Sequence, residues 1–315
     1  MAMATVFIDG QAGTTGLEIA ERLSTRDDLH VLTIDPAQRK DLSARQQLLQ
    51  SADVAILCLP DEAARESVTL AAGQTRLLDA STAHRVDPEW TYGLAELNAD
   101  QPAKITQAQY VSNPGCYPQG FILLIRPLIE AGVLSVDVPL RCHALSGYSG
   151  GGRQMVETYQ GFDAAQAEAL NTRDYALHLN HKHVPEMQYY SGTRARPLFN
   201  PMVANYLKGM LVHVPLFCEQ ELNGTSAREL HAILAERYRG QDFVHVRPFE
   251  EQPTLDGGFL EPTSLNNTND LELLVFGNDE QVLLVARYDN LGKGASGAAV
   301  QNLNLMLNID QTTGL

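Results

Sequence analysis

The first eighty residues alternate short apolar runs with amphipathic stretches, and this alternation restricts the fold more than any other feature. Residues 5–8, 30–34, 53–59 and 76–81 are strand-like. Residues 17–23, 43–50 and 61–72 read as the helices between them. Strands separated each time by a helix cannot pair as hairpins. They pair in parallel, with helices on both faces of the sheet. The first strand-to-helix turn is Asp9-Gly10-Gln11-Ala12-Gly13-Thr14-Thr15-Gly16. Glycines there let a backbone approach a pyrophosphate, which the helix N-terminus then holds. Gly10, Gly13, Thr14, Thr15 and Gly16 are therefore candidate dinucleotide contacts. The spacing is G-x-x-G-x-x-G, and an ordinary strand-to-helix turn could carry it too.

Asp35 ends the second strand, where an acid binds the ribose 2′-OH of NAD. Pro36 follows it, and Arg39 and Lys40 stand close by as partners for the 2′-phosphate of NADP. NADP(H) is the expected cofactor, and Asp35 keeps NAD open. Ser81 lies at the carboxyl end of a strand, where such sheets bind ligands.

The segment Ser112-Asn113-Pro114-Gly115-Cys116-Tyr117-Pro118-Gln119-Gly120 is a breaker cluster followed by a helical apolar pattern, Phe121, Leu124, Ile125, Leu128 and Ile129. Pro118 suits a first helical turn. The helix should run to about residue 131, with Gly132 as its stop. Cys116 then sits at a helix N-terminus, where free N–H groups and the dipole favour a thiolate. It is the candidate nucleophile; a buried cysteine beside a helix cap is the alternative.

Beyond it the pattern changes. Residues 136–145, 209–217, 243–246, 271–276 and 282–287 are strand-like, mostly without helices between them, and predict a mainly antiparallel sheet in an α+β domain. Residues 155–174 read as helical, interrupted at Gly161, and 226–239 as an amphipathic helix capped by Ser226. A second glycine-rich loop, 146–153, ends in Arg153 and could cradle an anion. The tail 289–302 is glycine-rich and leads into a helix expected to pack back on the first domain. The reading is thus α/β: a Rossmann-type doubly wound parallel domain, 1–117 completed by 290–315, and a catalytic and dimerisation domain, 118–289.

The formal net charge of −15 argues against nucleic acid and anionic membranes as partners. No stretch reaches the roughly 20 apolar residues of a membrane span. The N-terminus lacks a basic region followed by an apolar run, so no leader is expected. The cysteines, Cys58, Cys116, Cys142 and Cys218, form no C-x-x-C pair, which leaves a zinc site unsupported and points to the reducing cytoplasm.

A thiolate beside a nicotinamide supports one main reaction: attack on an activated acyl carbon, thioester formation and hydride exchange with an aldehyde. A histidine is the usual proton carrier. His181 and His183 are the candidates, and in an extended segment they would point to opposite faces. An acyl phosphate substrate accounts for basic residues beside glycine loops. A non-enzymatic alternative is a nucleotide-binding redox sensor with Cys116 as the sensing thiol.

The cysteine segment resembles the active-site signature of N-acetyl-gamma-glutamyl-phosphate reductases. Phe7-Ile8-Asp9-Gly10-x-x-Gly13-Thr14-Thr15-Gly16, His181-x-His183-x-Pro185-Glu186 and Asp289-Asn290-Leu291-Gly292-Lys293-Gly294 also resemble that family, particularly its shorter form. The motifs span the chain in the expected order. The fold is shared with aspartate-semialdehyde dehydrogenases. The resemblance implies NADPH-dependent reduction of N-acetyl-glutamyl 5-phosphate in arginine biosynthesis, and the strand-rich second domain suits the interface of a homo-oligomer, dimer or tetramer. It carries over Cys116 as nucleophile, His183 as acid/base, and Gly10, Gly13 and Gly16 as cofactor glycines. Ser81 and Gly294 are further cofactor candidates, and Asn113, Arg153 and His181 are substrate candidates. Gln119 departs from the small or hydroxyl residue common at its position. Aspartyl and N-acetyl-aminoadipyl phosphates are the alternative substrates.

Overall fold

The computed structural model describes residues 3–249 and 257–315. The chain divides into two compact units, one running to Gly115 and resumed at Ala295–Leu315, the other Cys116–Gly294.

The first unit contains β1 (Ala4–Asp9), α1 (Thr14–Leu23), β2 (Leu29–Leu32), α2 (Leu42–Ser51), β3 (Val54–Leu57), α3 (Asp61–Ala71), β4 (Arg76–Asp79), β5 (Thr91–Tyr92), α4 (Gln101–Gln107) and β6 (Tyr110–Ser112). Its six strands are all parallel, in the order β2-β1-β3-β4-β6-β5. The order reverses direction at β1, so the crevice outside β1 and β3 is the topological switch point where doubly wound sheets bind ligands. The glycine turn opens there. Alternate residues of β1 enter different cores. Val6 and Ile8 pack with Ile19, Leu23 and Ile105, whereas Phe7 packs with Leu49, Ala64 and Leu77. Burial on both faces is why these strands read as continuous apolar runs.

The second unit contains α5 (Cys116–Glu130), β7 (Arg141–Gly147), α6 (Gly152–Gln160), α7 (Ala164–Ala169), β8 (Thr172–Asp174), α8 (Val184–Ser191), β9 (Leu198–Ala204), β10 (Met210–Phe217), α9 (Cys218–Glu221), α10 (Ala227–Arg237), β11 (Val244–Val246), β12 (Leu271–Gly277) and β13 (Gln281–Tyr288). Its seven strands are ordered β11-β12-β13-β10-β7-β9-β8. Among the described residues only β11·β12 and β7·β9 pair in parallel, so the sheet is mixed and mainly antiparallel. The stretch expected to be helical to residue 174 instead ends in β8, which pairs with β9. The strand expected over 136–145 begins later, at Arg141. Ser226 caps α10 through a full capping box with Glu229, as its position suggests.

α5 packs against β10, β12 and β13, between α8 and α10. Every residue of α5 from Tyr117 to Leu128 except Arg126 is buried. No described helix is long and apolar enough to cross a membrane. Pro127 lies inside α5 and has no N–H for the Leu123 carbonyl. The Tyr238 hydroxyl donates to that carbonyl instead, at 2.8 Å.

The chain then returns to the first unit as α11 (Gly297–Met306). Ala299, Val300, Leu303 and Met306 fill the core beside α1 and α4, so this sheet face is completed by the chain's last helix.

Candidate active site

The glycine turn of the first unit is built for close backbone approach. Gly10 has φ +91°, and a Cβ there would stand 2.4 Å from the Cys58 carbonyl oxygen. At Gly16 a Cβ would stand 2.7 Å from the Gly10 carbonyl. Gly13 caps α1, and its N–H donates to the Gly10 carbonyl at 3.2 Å. No side chain caps α1, and no acid stands in its first turn. Thr14 and Thr15 open the helix, half-buried. A turn with glycine at 10, 13 and 16, leading into a helix N-terminus that no side chain caps, fits a dinucleotide pyrophosphate. We expect Gly10→Ala to cost about 2–4 kcal/mol of stability, because strain and collision add. Gly13→Ala, whose Cβ meets nothing nearer than 3.7 Å, should stay within about 1 kcal/mol of the parent. Urea unfolding of the two variants checks this contrast.

Around the turn, the Asp35 carboxylate accepts the Ala37 N–H at 2.8 Å, and Arg39 and Lys40 are exposed. Ser81 is buried; its hydroxyl donates to Asp79 at 2.7 Å. The same carboxylate meets His84 Nδ1 at 2.6 Å, and the His84 ring stacks on Trp90 with centroids 4.2 Å apart. Sequence reasoning missed Asp79 and His84, whose pairing is visible only once the strand exit is folded.

Asn113 precedes the cysteine, and its side chain is engaged by the protein itself. Its Nδ2 donates to the Ala295 carbonyl at 3.0 Å, and its Oδ1 accepts from Asn302 Nδ2 at 3.0 Å. It fixes the turn out of β6.

Cys116 is the first residue of α5 and half-buried. Gly294, in a π-helical turn at Gly292–Ser296, passes so close that a Cβ on it would lie 3.1 Å from the Cys116 Cβ. Gln119 holds this turn in place, its Nε2 donating to the Lys293 carbonyl at 2.8 Å. Asp289 and Asn290 brace the same segment. Asp289 accepts the N–H groups of Asn267 and Leu291, and Asn290 bonds Gly209 and Ser149. The motif around Gly294 is thus a scaffold that brings a bare backbone against the nucleophile.

Next to Cys116, Tyr117 is the centre of an aromatic cluster. Its ring lies 6.0 Å from His181, 5.9 Å from His183 and 5.1 Å from Phe199. Its hydroxyl accepts from Tyr175 at 2.9 Å. Burial, then Tyr175 and the Cys116 thiol, push the Tyr117 ionisation well up; burial does the same for Tyr175. Both stay phenols and hydrogen-bond donors near neutral pH. The segment 181–183 is turned, not extended: His183 has φ −87° and ψ −12° and caps α8. The two imidazoles therefore do not point to opposite faces, and their centroids are 4.7 Å apart. His183 is 6% exposed, and its backbone N–H donates to His181 Nδ1 at 3.1 Å. That bond leaves the His181 proton on Nε2. Tyr117 and Tyr175 had no sequence signal beyond adjacency to the cysteine and the histidines.

In the second glycine loop the protein's own chain takes three of the N–H groups. The N–H groups of Gly147, Tyr148 and Ser149 donate to the carbonyls of Gly209, Tyr206 and Leu207. Arg153 lies on α6 with a 65% exposed side chain, paired to Glu157 at 2.7 Å. Its glycines serve packing, since a Cβ on Gly147 would stand 2.5 Å from the Leu207 carbonyl. Arg194 pairs with Asp137 on the surface, and Arg196 with Asn180. Burial and the nearby Asp79 and Asp9 push the Cys58 thiol up to about 12, and burial pushes Cys142 further up. Among the described residues no group of three or more His, Cys, Asp or Glu could hold a metal ion.

A unit with a parallel sheet and glycine turn, followed by a mixed-sheet unit headed by a cysteine, matches a known class. Residues 5–105 match the model of the semialdehyde dehydrogenase NAD binding domain, and residues 116–290 that of the semialdehyde dehydrogenase dimerisation domain. Solved aspartate semialdehyde dehydrogenases share the fold. The one from Francisella tularensis is 16% identical with a TM-score of 0.74, covering 97% of this chain and 100% of that one. One from Vibrio cholerae is 14% identical with a TM-score of 0.72, covering 98% and 99%. Within this class the chain belongs to the N-acetyl-gamma-glutamyl-phosphate reductase family. It is 50% identical to N-acetyl-gamma-glutamyl-phosphate reductase 2 of Nostoc sp., covering 98% of both chains. It is 48% identical to the Brucella ovis reductase, covering 96% of this chain and 98% of that one.

Proposed function

We propose that this chain reduces N-acetyl-glutamyl 5-phosphate with NADPH, giving N-acetyl-glutamate 5-semialdehyde and phosphate, a step of arginine biosynthesis. The observation that carries the reading is Cys116 at the head of α5, next to a tyrosine packed on two histidines. The sulfur of Cys116 attacks the acyl carbon, the carbon–oxygen bond to phosphate breaks, and a thioester forms. Gly10, Gly13, Thr14, Thr15 and Gly16, with Arg39, Ser81 and Gly294 as further contacts, would hold NADPH, which would supply the hydride. His183 gives a proton to the oxygen of the resulting hemithioacetal and takes it back as the carbon–sulfur bond breaks and the aldehyde leaves. Asn113, Arg153 and His181 are proposed on the substrate side. For Asn113 and His181 the contribution is to hold the turn and the His183 backbone; Arg153 offers a solvent-exposed charge.

Residues 1–117 with 290–315 are proposed as the cofactor domain and 118–289 as the catalytic domain. The match to a dimerisation domain supports a homo-oligomer, proposed as a dimer or tetramer, working in the cytoplasm. The test is phosphate-dependent reduction of NADP, compared with NAD, using three aldehydes: N-acetyl-glutamate semialdehyde, aspartate semialdehyde and N-acetyl-aminoadipate semialdehyde. The first is expected to be turned over with the highest kcat/KM and with NADP preferred. Preference for either other aldehyde reassigns the substrate, and no turnover of any removes the enzymatic reading.

A further inference from the structure

Two tyrosine hydroxyls bond the backbone of α5, and only one of them has a local cause. Tyr238 supplies a donor that Pro127 lacks. Tyr288 meets no such need. Its hydroxyl donates to the Cys116 carbonyl at 2.6 Å and accepts the Gly120 N–H at 3.1 Å. These are the two groups that the first turn of an α-helix pairs with each other. The approach depends on residue 120 having no side chain. A Cβ there would stand 2.9 Å from the Tyr288 hydroxyl and 2.9 Å from the Ala286 Cβ. Tyr288 is fully buried at the end of β13, immediately before the Asp289–Gly294 segment that runs against Cys116.

We propose that Tyr288 is a positioning residue for the nucleophile: its hydroxyl clamps the first turn of α5 through Cys116 and Gly120 and so fixes the backbone from which the thiol reaches its target. The proposal rests on the reading of Cys116 as acyl carrier. Three features act together. The phenol sits on β13, a strand bonded on both sides within the sheet, so it is a rigid anchor. It holds the carbonyl of the nucleophile's own residue, one of the shortest routes by which a distant strand can fix that backbone. Burial, with the Cys116 thiol nearby, pushes its ionisation well up, so it remains a donor throughout the working pH range. A buried phenol needs partners in any protein, and a purely structural role would register in stability alone.

The test is Tyr288→Phe, which keeps the ring and leaves Cys116 and Gly120 able to bond each other as in any helix. In the aldehyde assay kcat is expected to fall about ten- to hundredfold while both KM values stay within about twofold, the signature of a misplaced reacting group. A kcat within about twofold of the parent overturns the proposal, as does a fall in kcat matched by an equal fall in folded protein measured by circular dichroism. Gly120→Ala approaches the same contact from the other side and is expected to reproduce the loss. Alkylation of Cys116 by iodoacetamide, followed by mass spectrometry across pH, needs no substrate. Its midpoint should move up in Tyr288→Phe, because a loosened first turn holds the thiolate less firmly at the helix N-terminus, whose dipole stabilises it. Should the parent turn over no aldehyde, the functional reading fails and the alkylation curve decides: an upward midpoint supports the clamp, a superimposable curve overturns it.

Discussion

Cys116→Ala is expected to abolish aldehyde-dependent NADP reduction, lowering kcat by at least about a thousandfold, while NADP(H) binding is kept within about twofold. The substitution deletes only the sulfur. The Cys116 Cβ that packs against Gly294 remains, so the turn beside it has no reason to move. No other thiol can take over. Cys142 and Cys218 are buried, which pushes their ionisation up, and burial with two carboxylates holds Cys58 near 12. The proposed cofactor contacts are the α1 turn with Arg39, Ser81 and Gly294, and the substitution changes none of these residues and keeps the Cβ that Gly294 packs on. Stopped-flow turnover and cofactor fluorescence titration on one preparation separate the two effects. Turnover retained in the variant would remove the thioester mechanism.

His183→Asn is expected to lower kcat by about a hundredfold or more, within the range for losing a general acid/base. His181→Asn should cost far less, within about tenfold, since its assigned task is a single hydrogen bond. That difference follows from the bond between the His183 N–H and His181 Nδ1, at 3.1 Å. An asparagine oxygen can replace Nδ1 as acceptor there, but asparagine cannot carry a proton at the position of the buried His183 imidazole. The measurement is kcat for both variants under saturating aldehyde and NADP. If His181→Asn loses more, the acid/base role passes to His181 and His183 becomes its support.

The parts of this molecule legible in the sequence are those written in short stretches. The parallel sheet follows from apolar runs alternating with amphipathic helices. The start of α5 at Cys116 follows from Asn113-Pro114-Gly115 before it and Pro118 after it, and the cap of α10 from Ser226. β9 was not legible, because Asn200 and Pro201 interrupt its apolar pattern; its neighbours β7 and β8 give it a place regardless. The use that residues 147–149 make of their N–H groups was not legible for a related reason. A glycine-rich loop says that side chains are excluded, but not whether a ligand or the protein's own chain excludes them, and here it is the 206–209 segment.

The sequence by itself determined that a cysteine would head a helix, that a glycine turn would open a doubly wound sheet, and that two histidines two residues apart were the available proton carriers. Tertiary structure alone decided what surrounds that cysteine. Tyr175 and Phe199 join Tyr117 and the histidines, Gly294 comes in from the far end of the chain, and Tyr288 reaches the Cys116 carbonyl across 172 positions. The physical reason is range. Helix starts, turns and strand alternation are set by neighbours within a few residues, whereas the groups that hold a nucleophile come from strands whose register is fixed only when the whole sheet is paired.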